Sequence, residues 1–156
     1  MGTEFSFRLK TNVAANPNSV WQHMTSIAGV NREFFPLLRM TGSRKYQRLD
    51  DHSEMLGKQL FRSWILLFGI VPVEYDDLCI IELVPGKKFV EASSMLMQKK
   101  WRHERSIEAL PDFGSTIEDH ICFEARFPIL APISYPIILA LFKYRHFRLQ
   151  QILGPR

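Results

Sequence analysis

Alternation of apolar and polar residues marks much of the chain as β-strand. In residues 4–12, Phe5, Phe7 and Leu9 alternate with polar side chains, which is the period of a strand with one buried face. Strand-like runs also cover residues 58–68, 73–84, 87–96, 98–110 and 115–127. Three of the short gaps between these runs contain glycine and proline, so we expect antiparallel neighbours joined by tight turns.

Helical spacing replaces this alternation in three places. Asn16 and Pro17 supply an N-cap and a first helical position, and apolar residues then recur at helical spacing up to Gly29. A second short helix is predicted over residues 30–38, and the polar stretch that follows, residues 41–53, leaves room for a strand and a turn. The longest helix is predicted over residues 134–153, where Gly154 and Pro155 end it.

The order of these elements predicts an α+β fold. One strand, two short helices, a series of antiparallel strands and a long amphipathic helix bury their apolar faces most economically when a curved sheet wraps around the last helix. The chain has 156 residues, of which 46% are apolar and 23% charged, so residues 1–156 are predicted to form a single domain with its own core. If the helix stands off from the concave face of the sheet, a ligand chamber lies between them.

The predicted strand over residues 98–110 places charged groups on its apolar face. Period-two alternation puts Trp101, His103 and Arg105 on one side and polar residues on the other. Because a buried unpaired cation is too costly to persist, Arg105 needs a carboxylate, a polar ligand or trapped water within reach. The same parity places Glu91 and Asp119 on the inward faces of the strands before and after it, so these ionisable groups are the candidate polar lining of the chamber.

Two other arrangements of these charges stay open. Arg105 and the inward carboxylates can form a structural ion-pair network that braces the strands without any ligand. A β-bulge can instead turn Arg105 or His103 outward to solvent.

Four further residues are candidates for the same lining. Trp64 and Tyr75 lie on two consecutive predicted strands, and Phe142 and Arg145 share the inward face of the long helix. Strand aromatics commonly serve as core or rim packing, and Arg145 either pairs with an inward acid or extends past the edge of the helix. The basic residues around it, including His146, are expected on a solvated helix face.

Charge and metal-ligand patterns limit the expected partners. The formal net charge is +4, but the basic residues are spread along the chain and no nucleic-acid-binding module accompanies them, so nucleic acid is not an expected partner. The five histidines and two cysteines show no metal-ligand spacing, so neither a metal nor a cofactor is expected. The protein is expected to be a monomer or a homodimer.

The same reading predicts a cytoplasmic protein without stable membrane insertion. Free cysteines without a disulfide pattern fit a reducing compartment, and the N-terminus lacks the pattern of a secretory signal. Pro132 and Pro136 interrupt the longest apolar stretch, residues 129–142, which is also too short to cross a bilayer.

A family resemblance adds to this reading. The order of elements between Phe5 and Leu153 resembles the SRPBCC superfamily, the helix-grip group that includes START domains, polyketide cyclase/dehydrase-like proteins and relatives of the birch-pollen allergen. Its segments here are Phe89-Val90-Glu91, Trp101-x-His103-x-Arg105, Ser115-Thr116 leading to Asp119, and Phe142-Lys143-Tyr144-Arg145. The resemblance implies a seven-stranded antiparallel sheet that grips the C-terminal helix, with two short helices after the first strand and a hydrophobic ligand cavity.

The chain departs from one branch of that superfamily in a way that bears on catalysis. Some bacterial members carry His-x-His where this chain has His103-x-Arg105, and an arginine cannot act as a general base. The superfamily spans transport, sensing, cyclisation and hydrolysis, so the resemblance supports a ligand cavity better than any one reaction.

The leading hypothesis is therefore binding or transport of a small hydrophobic or amphipathic molecule. Glu91, His103, Arg105 and Asp119 would supply the polar anchors. The alternative is a cyclase or dehydratase in which His103 and Asp119 perform acid/base chemistry on a polyketide-like substrate. A third possibility is an interaction protein with a filled core.

Overall fold

The computed structural model describes residues 2–156 as a curved sheet with two short helices and one long helix. The strands are β1 (Glu4–Val13), β2 (Leu38–Met40), β3 (Gln59–Leu67), β4 (Val71–Val84), β5 (Lys88–Met95), β6 (Gln98–Ala109) and β7 (Ser115–Ala125). The helices are α1 (Pro17–Met24), α2 (Ile27–Phe34) and α3 (Ala131–Leu153), with 3₁₀ turns at Ser53–Met55 and Pro128–Leu130.

All seven strands form one sheet in the order β1-β7-β6-β5-β4-β3-β2, and every neighbouring pair is antiparallel. The N-terminal strand β1 therefore forms one edge of the sheet beside the last strand β7, and the short β2 forms the other edge. This confirms the predicted α+β helix-grip architecture of seven strands, two short helices after the first strand and a long C-terminal helix.

The boundary between the two short helices differs from the prediction. α1 ends at Met24 rather than near Gly29, because Ser26 leaves the helical conformation and its side chain accepts a hydrogen bond from the backbone N–H of Gly29. Ser26 is thus the N-cap of α2. The sequence pattern missed this cap because apolar residues continue at helical spacing across it.

The second strand also lies earlier than predicted. It occupies Leu38–Met40 rather than the polar stretch 41–53, and it pairs with the end of β3. The Asn31 side chain of α2 holds it in place, donating to the Met40 carbonyl at 2.9 Å and accepting from the Met40 N–H at 2.7 Å. A side-chain contact between two different elements leaves no periodic signal in the sequence.

The core consists of two apolar clusters separated by a buried polar layer. One cluster contains Phe89, Ile107, Ile117 and Leu149, and the other contains Met95, Trp101, Ile121, Phe123 and Phe142. Along β5, β6, β7 and α3, the positions between these two sets are polar and buried. We call them the polar layer: Glu91, Ser93, His103, Arg105, Asp119, Arg145 and His146, together with Glu33 of α2 and Asp76 of β4.

Candidate functional site

Arg105 is the centre of the polar layer and is completely buried. Its Nε and Nη2 atoms each donate to one oxygen of Asp119, both at 2.7 Å. Its Nη1 atom donates to the two oxygens of Glu33 at 2.9 and 3.0 Å. All three guanidinium nitrogens are therefore committed to carboxylates, in the planar bidentate geometry that arginine favours.

Two different elements bring these carboxylates to Arg105. Asp119 is its direct cross-strand partner in the β6–β7 register, so the alternation that turns Arg105 inward also turns Asp119 inward. Glu33 comes from α2, which packs against α3 over this part of the sheet. The close packing of α2 completes the coordination of a cation that the strands alone would leave half paired.

Further basic side chains surround the same two carboxylates. The Arg145 Nε donates to Glu33 at 3.1 Å, and His23 Nε2 lies 3.0 Å from the other Glu33 oxygen. His103 Nε2 lies 2.6 Å from Asp119 Oδ1, and His146 Nε2 lies 2.8 Å from Asp119 Oδ2. An ionised carboxylate only accepts hydrogen bonds, so each of these Nε2 atoms carries the proton. The Nδ1 atom of His146 is buried and has no hydrogen-bond partner.

This arrangement stabilises the charged forms of both acids. Burial by itself would raise the pKa of the Glu33 carboxyl, but Arg105 and Arg145 outweigh burial and hold that pKa well below its usual range. For Asp119 the same burial penalty is outweighed by Arg105 and His103, so the pKa of Asp119 is also well below its usual range. Burial lowers the pKa of Arg145, and Glu33 opposes this effect. Two guanidinium groups thus balance two carboxylates within the layer.

The ion-pair network explains Arg105 without a ligand. The guanidinium faces neither solvent nor an unpaired group, so it matches the structural alternative considered for the sequence and not the expectation that it anchors cargo. Neither a bulge nor an outward turn occurs at this position, because the β6–β7 register is regular from Lys100 to Ala109.

A second cluster within the polar layer contains acids without any basic partner. Ser93 Oγ donates to Glu91 Oε2 at 2.7 Å and accepts from the backbone N–H of Cys79 at 3.1 Å. Asp76 is a buried neighbour of Glu91, and its Oδ1 atom is buried without a hydrogen-bond partner. Within residues 2–156, neither Asp76 nor Glu91 has a basic group within 4.0 Å. We call these two residues the acid pair.

The surroundings of the acid pair favour the protonated form of Asp76. Burial raises the pKa of Asp76 well above its ordinary value, and the neighbouring Glu91 raises it further. A second negative charge in a poorly solvated site is unfavourable, so the neutral form of Asp76 is favoured. Glu91 is therefore inward as predicted, but it belongs to the acid pair and not to Arg105.

Three more of the predicted lining residues are buried between the sheet and α3. Trp101 and Phe142 pack together in the second apolar cluster, with ring centroids 6.0 Å apart. Arg145 is buried and pairs with Glu33, so the alternative in which it passes the edge of the helix is wrong.

Trp64 and Tyr75 lie on the opposite face from the polar layer. They are cross-strand partners, and so are the buried residues Ser63 and Asp76 at the adjacent position. Adjacent strand positions face opposite sides of a sheet, so Trp64 and Tyr75 point outward. Trp64 is 42% exposed, and the Arg62 guanidinium stacks 3.9 Å from the Tyr75 ring. The prediction that they line the interior is wrong.

Two inward acids were missed although the sequence carries a signal for each. Glu33 shares the apolar face of its helix with Val30 and Phe34, which is the same anomaly that singled out Arg105. Asp76 shares strand parity with the buried Leu78. Choosing Tyr75 as an inward residue selected the wrong face of β4.

His146 is the third missed residue. It was expected on a solvated helix face, yet it is buried against Asp119. Its spacing from Phe142 and Leu149 places all three on the same face of α3, and that spacing was the available signal.

None of the helices in residues 2–156 is long and apolar enough to cross a membrane.

The seven-stranded antiparallel sheet, the two short helices and the long α3 form a helix-grip fold. The chain belongs to the family described as Domain of unknown function (DUF8410), whose model matches residues 11–153. No curated protein matches the chain.

Solved structures share this fold at low sequence identity. Protein CV1439 from Chromobacterium violaceum is 14% identical with a TM-score of 0.67, covering 97% of this chain and 99% of its own. A START superfamily protein from Mycobacterium smegmatis is 9% identical with a TM-score of 0.65, covering 97% of each chain. The Zhui aromatase/cyclase from Streptomyces sp. R1128 is 10% identical with a TM-score of 0.59, covering 99% of this chain and all of its own. The resemblance to the SRPBCC superfamily is thereby confirmed at the level of fold.

Proposed function

We propose that this protein binds a small amphipathic molecule between the concave face of the sheet and α3. The helix-grip fold supports this proposal in general terms, since a curved sheet and a helix enclose the concave face. The observation that carries it is the acid pair. Asp76 and Glu91 are buried on that face without a basic partner, and Asp76 Oδ1 has no hydrogen-bond partner at all.

A ligand with a hydroxyl or amino group would complete the acid pair. A buried acceptor left without a donor costs about 1–3 kcal/mol, so a donor at Asp76 Oδ1 recovers that free energy. A ligand that carries only acceptors cannot do so. The apolar part of the molecule would contact the second apolar cluster, because Met95 is both a member of that cluster and the cross-strand partner of Asp76.

The Arg105 network has a different part in this proposal. Its guanidinium is saturated by Asp119 and Glu33, so it holds α2 and the sheet together rather than contacting cargo. Polar selectivity therefore comes from Glu91 and Asp76, and the buried ion pairs keep the interior of the sheet in register.

Binding is tested with Nile red, a neutral fluorescent probe, and three competitors of equal chain length. We expect the protein to take up Nile red and decan-1-ol or decylamine to displace it more effectively than methyl decanoate, which has no donor. In Glu91→Gln, which removes one of the two carboxyl groups of the acid pair and so weakens its attraction for an ammonium group, the advantage of decylamine over methyl decanoate should fall about tenfold.

The matched control is Glu108→Gln, which removes a carboxylate from an exposed position of β6. It should bind all four compounds as the unmodified protein does. If native mass spectrometry finds no co-purified small molecule and Nile red shows no uptake, the interior is filled and the proposal is wrong. If all three competitors displace Nile red equally well, the protein binds amphipathic molecules but the acid pair does not select among them.

A second candidate function is acid/base catalysis by His103. The observation in its favour is the 2.6 Å contact between His103 Nε2 and Asp119, which orients the imidazole ring. The two hydrogen bonds that Arg105 donates to Asp119 weigh against it, since they already neutralise the carboxylate.

Proton abstraction beside a carbonyl provides the test for this candidate. Exchange of the methylene protons of 2,4-hexanedione for deuterium, followed by NMR, should be accelerated by the protein and not by His103→Gln. Exchange at the buffer rate with the unmodified protein would exclude this chemistry for that substrate class.

A further inference from the structure

The turn between β3 and β4 is apolar and exposed, unlike most turns. We call Leu67, Phe68, Ile70 and Val71 the apolar tip; Phe68 is 63% exposed and Ile70 is 77% exposed. Hairpin turns are normally built from glycine and polar residues, and contiguous exposed apolar side chains mark a contact surface. The interior described above makes no use of these side chains.

The backbone holds Phe68 in an outward position. Its φ angle of 53° is the only positive value for a non-glycine residue in the described part of the chain. That conformation is unfavourable for a bulky side chain. A hydrogen bond from the Phe68 N–H to the Leu37 carbonyl at 2.8 Å fixes the turn to the segment that carries Phe35, which is itself 65% exposed.

Next to the apolar tip is a cleft with three arginines. Arg32, Arg39 and Arg148 line this cleft, whose volume is about 650 Å³, together with Phe35 and Phe68. We call this cleft the arginine cleft. Its remaining lining residues are uncharged: Ala28, Asn31, Pro36, Leu38 and Gly69.

No carboxylate neutralises the arginine cleft. Within residues 2–156, none of the three guanidinium groups has an acidic oxygen within 4.0 Å. Arg148 donates instead to the Arg32 carbonyl, at 3.1 Å, and to the Gln151 side chain. On the same hairpin, the Glu74 carboxylate is occupied by the backbone N–H groups of Tyr75 and Met97.

We propose that the apolar tip and the arginine cleft form a docking surface for an anionic lipid membrane. Exposed apolar side chains insert into the boundary between headgroups and acyl chains, while adjacent arginines bind the phosphate groups. The surface combines both features on one edge of the sheet, because Arg39 of β2 is the cross-strand partner of Leu66, next to the apolar tip. Charge complementarity therefore favours an anionic membrane over an uncharged one.

Vesicle co-sedimentation tests this proposal. We expect the protein to bind phosphatidylcholine vesicles that contain about 30% phosphatidylglycerol and to bind pure phosphatidylcholine vesicles far less. Binding should fall in about 0.5 M NaCl, because salt screens the arginines. Arg39→Ala is expected to lower the partition coefficient about fivefold, and Ile70→Ser at least as much.

Matched variants elsewhere separate this surface from general stickiness. Ile133→Ser removes an apolar side chain of α3 that is 56% exposed, and Lys143→Ala removes an exposed cation of the same helix. Both should bind vesicles as the unmodified protein does. Circular dichroism of every variant should be unchanged, since all four positions lie at the surface.

Three outcomes would overturn the proposal. These are no binding to anionic vesicles, equal loss in the α3 controls, and light scattering that shows a dimer which Ile70→Ser dissociates. The last result would assign the surface to a second copy of the chain. Glu91→Gln should bind vesicles normally, so the membrane proposal and the ligand proposal succeed or fail separately.

Discussion

Replacing Arg105 by alanine is expected to destabilise the protein by about 3–5 kcal/mol, the usual cost of breaking a buried ion pair by removing one partner. The variant leaves Asp119 without its bidentate partner and removes one of the two guanidinium groups that bind Glu33. Both carboxylates are completely buried, so the variant leaves negative charge inside the protein without its main partner. Urea unfolding followed by tryptophan fluorescence measures the effect as a lower transition midpoint.

The control for this prediction is an arginine whose ion pair is exposed. Arg8 donates to Glu118 at 2.7 Å, but its side chain is 63% exposed, so Arg8→Ala should leave the midpoint almost unchanged. Arg105→Lys should not restore stability, because an ammonium group cannot form parallel hydrogen bonds to two carboxylates. A midpoint for Arg105→Ala equal to that of Arg8→Ala would show that the network contributes little.

Acid is expected to unfold the protein by protonating the same network. The pKa values of Glu33 and Asp119 are lowered on folding, so the folded state binds fewer protons than the unfolded state below about pH 4. The stability that these two groups contribute is therefore complete above their unfolded pKa values and is lost as the pH falls toward the folded ones. The urea midpoint measured from about pH 6 to pH 2 should fall steeply below about pH 4.

Two variants isolate the groups responsible for this pH dependence. Asp119→Asn should be less stable at pH 6 and should show a smaller further loss in acid. Asp76 acts in the opposite direction, because its raised pKa gives stability at low pH that is lost as the pH rises through the folded value. Asp76→Asn should thus gain stability at high pH relative to the unmodified protein. If the urea midpoint does not change with pH in the unmodified protein or in Asp119→Asn, these carboxyl groups are not responsible for acid unfolding.

The Arg105 result also determines which variants can test ligand binding. Arg105 was expected to hold cargo, and Arg105→Ala was the natural test of that idea. Because its guanidinium is saturated by Glu33 and Asp119, loss of binding in that variant would report loss of structure. Glu91→Gln tests binding more directly, since Glu91 has a side-chain partner in Ser93 and belongs to no ion pair.

Several parts of the site followed from strand alternation alone. The inward positions of Trp101, His103, Arg105 and Asp119 were predicted from period two, since a strand that buries one face leaves only one choice for each residue. The prediction failed where the parity of β4 was chosen wrongly, at Tyr75. An error of one residue in a strand moves a side chain to the other face of the sheet.

What the sequence by itself determined is the order of the elements, the bounds of β3–β7 to within two residues and the presence of buried charge on β6. These depend on local periodicity and turn residues. Only the tertiary structure decided which charges meet. Glu33 reaches Arg105 from 72 positions away in the chain, and Arg145 reaches Glu33 across 112. Contacts between residues so far apart in the sequence depend on how α2 and α3 pack on the sheet. A periodic pattern specifies which face of an element a residue occupies, but it does not specify the partner of that residue on another element.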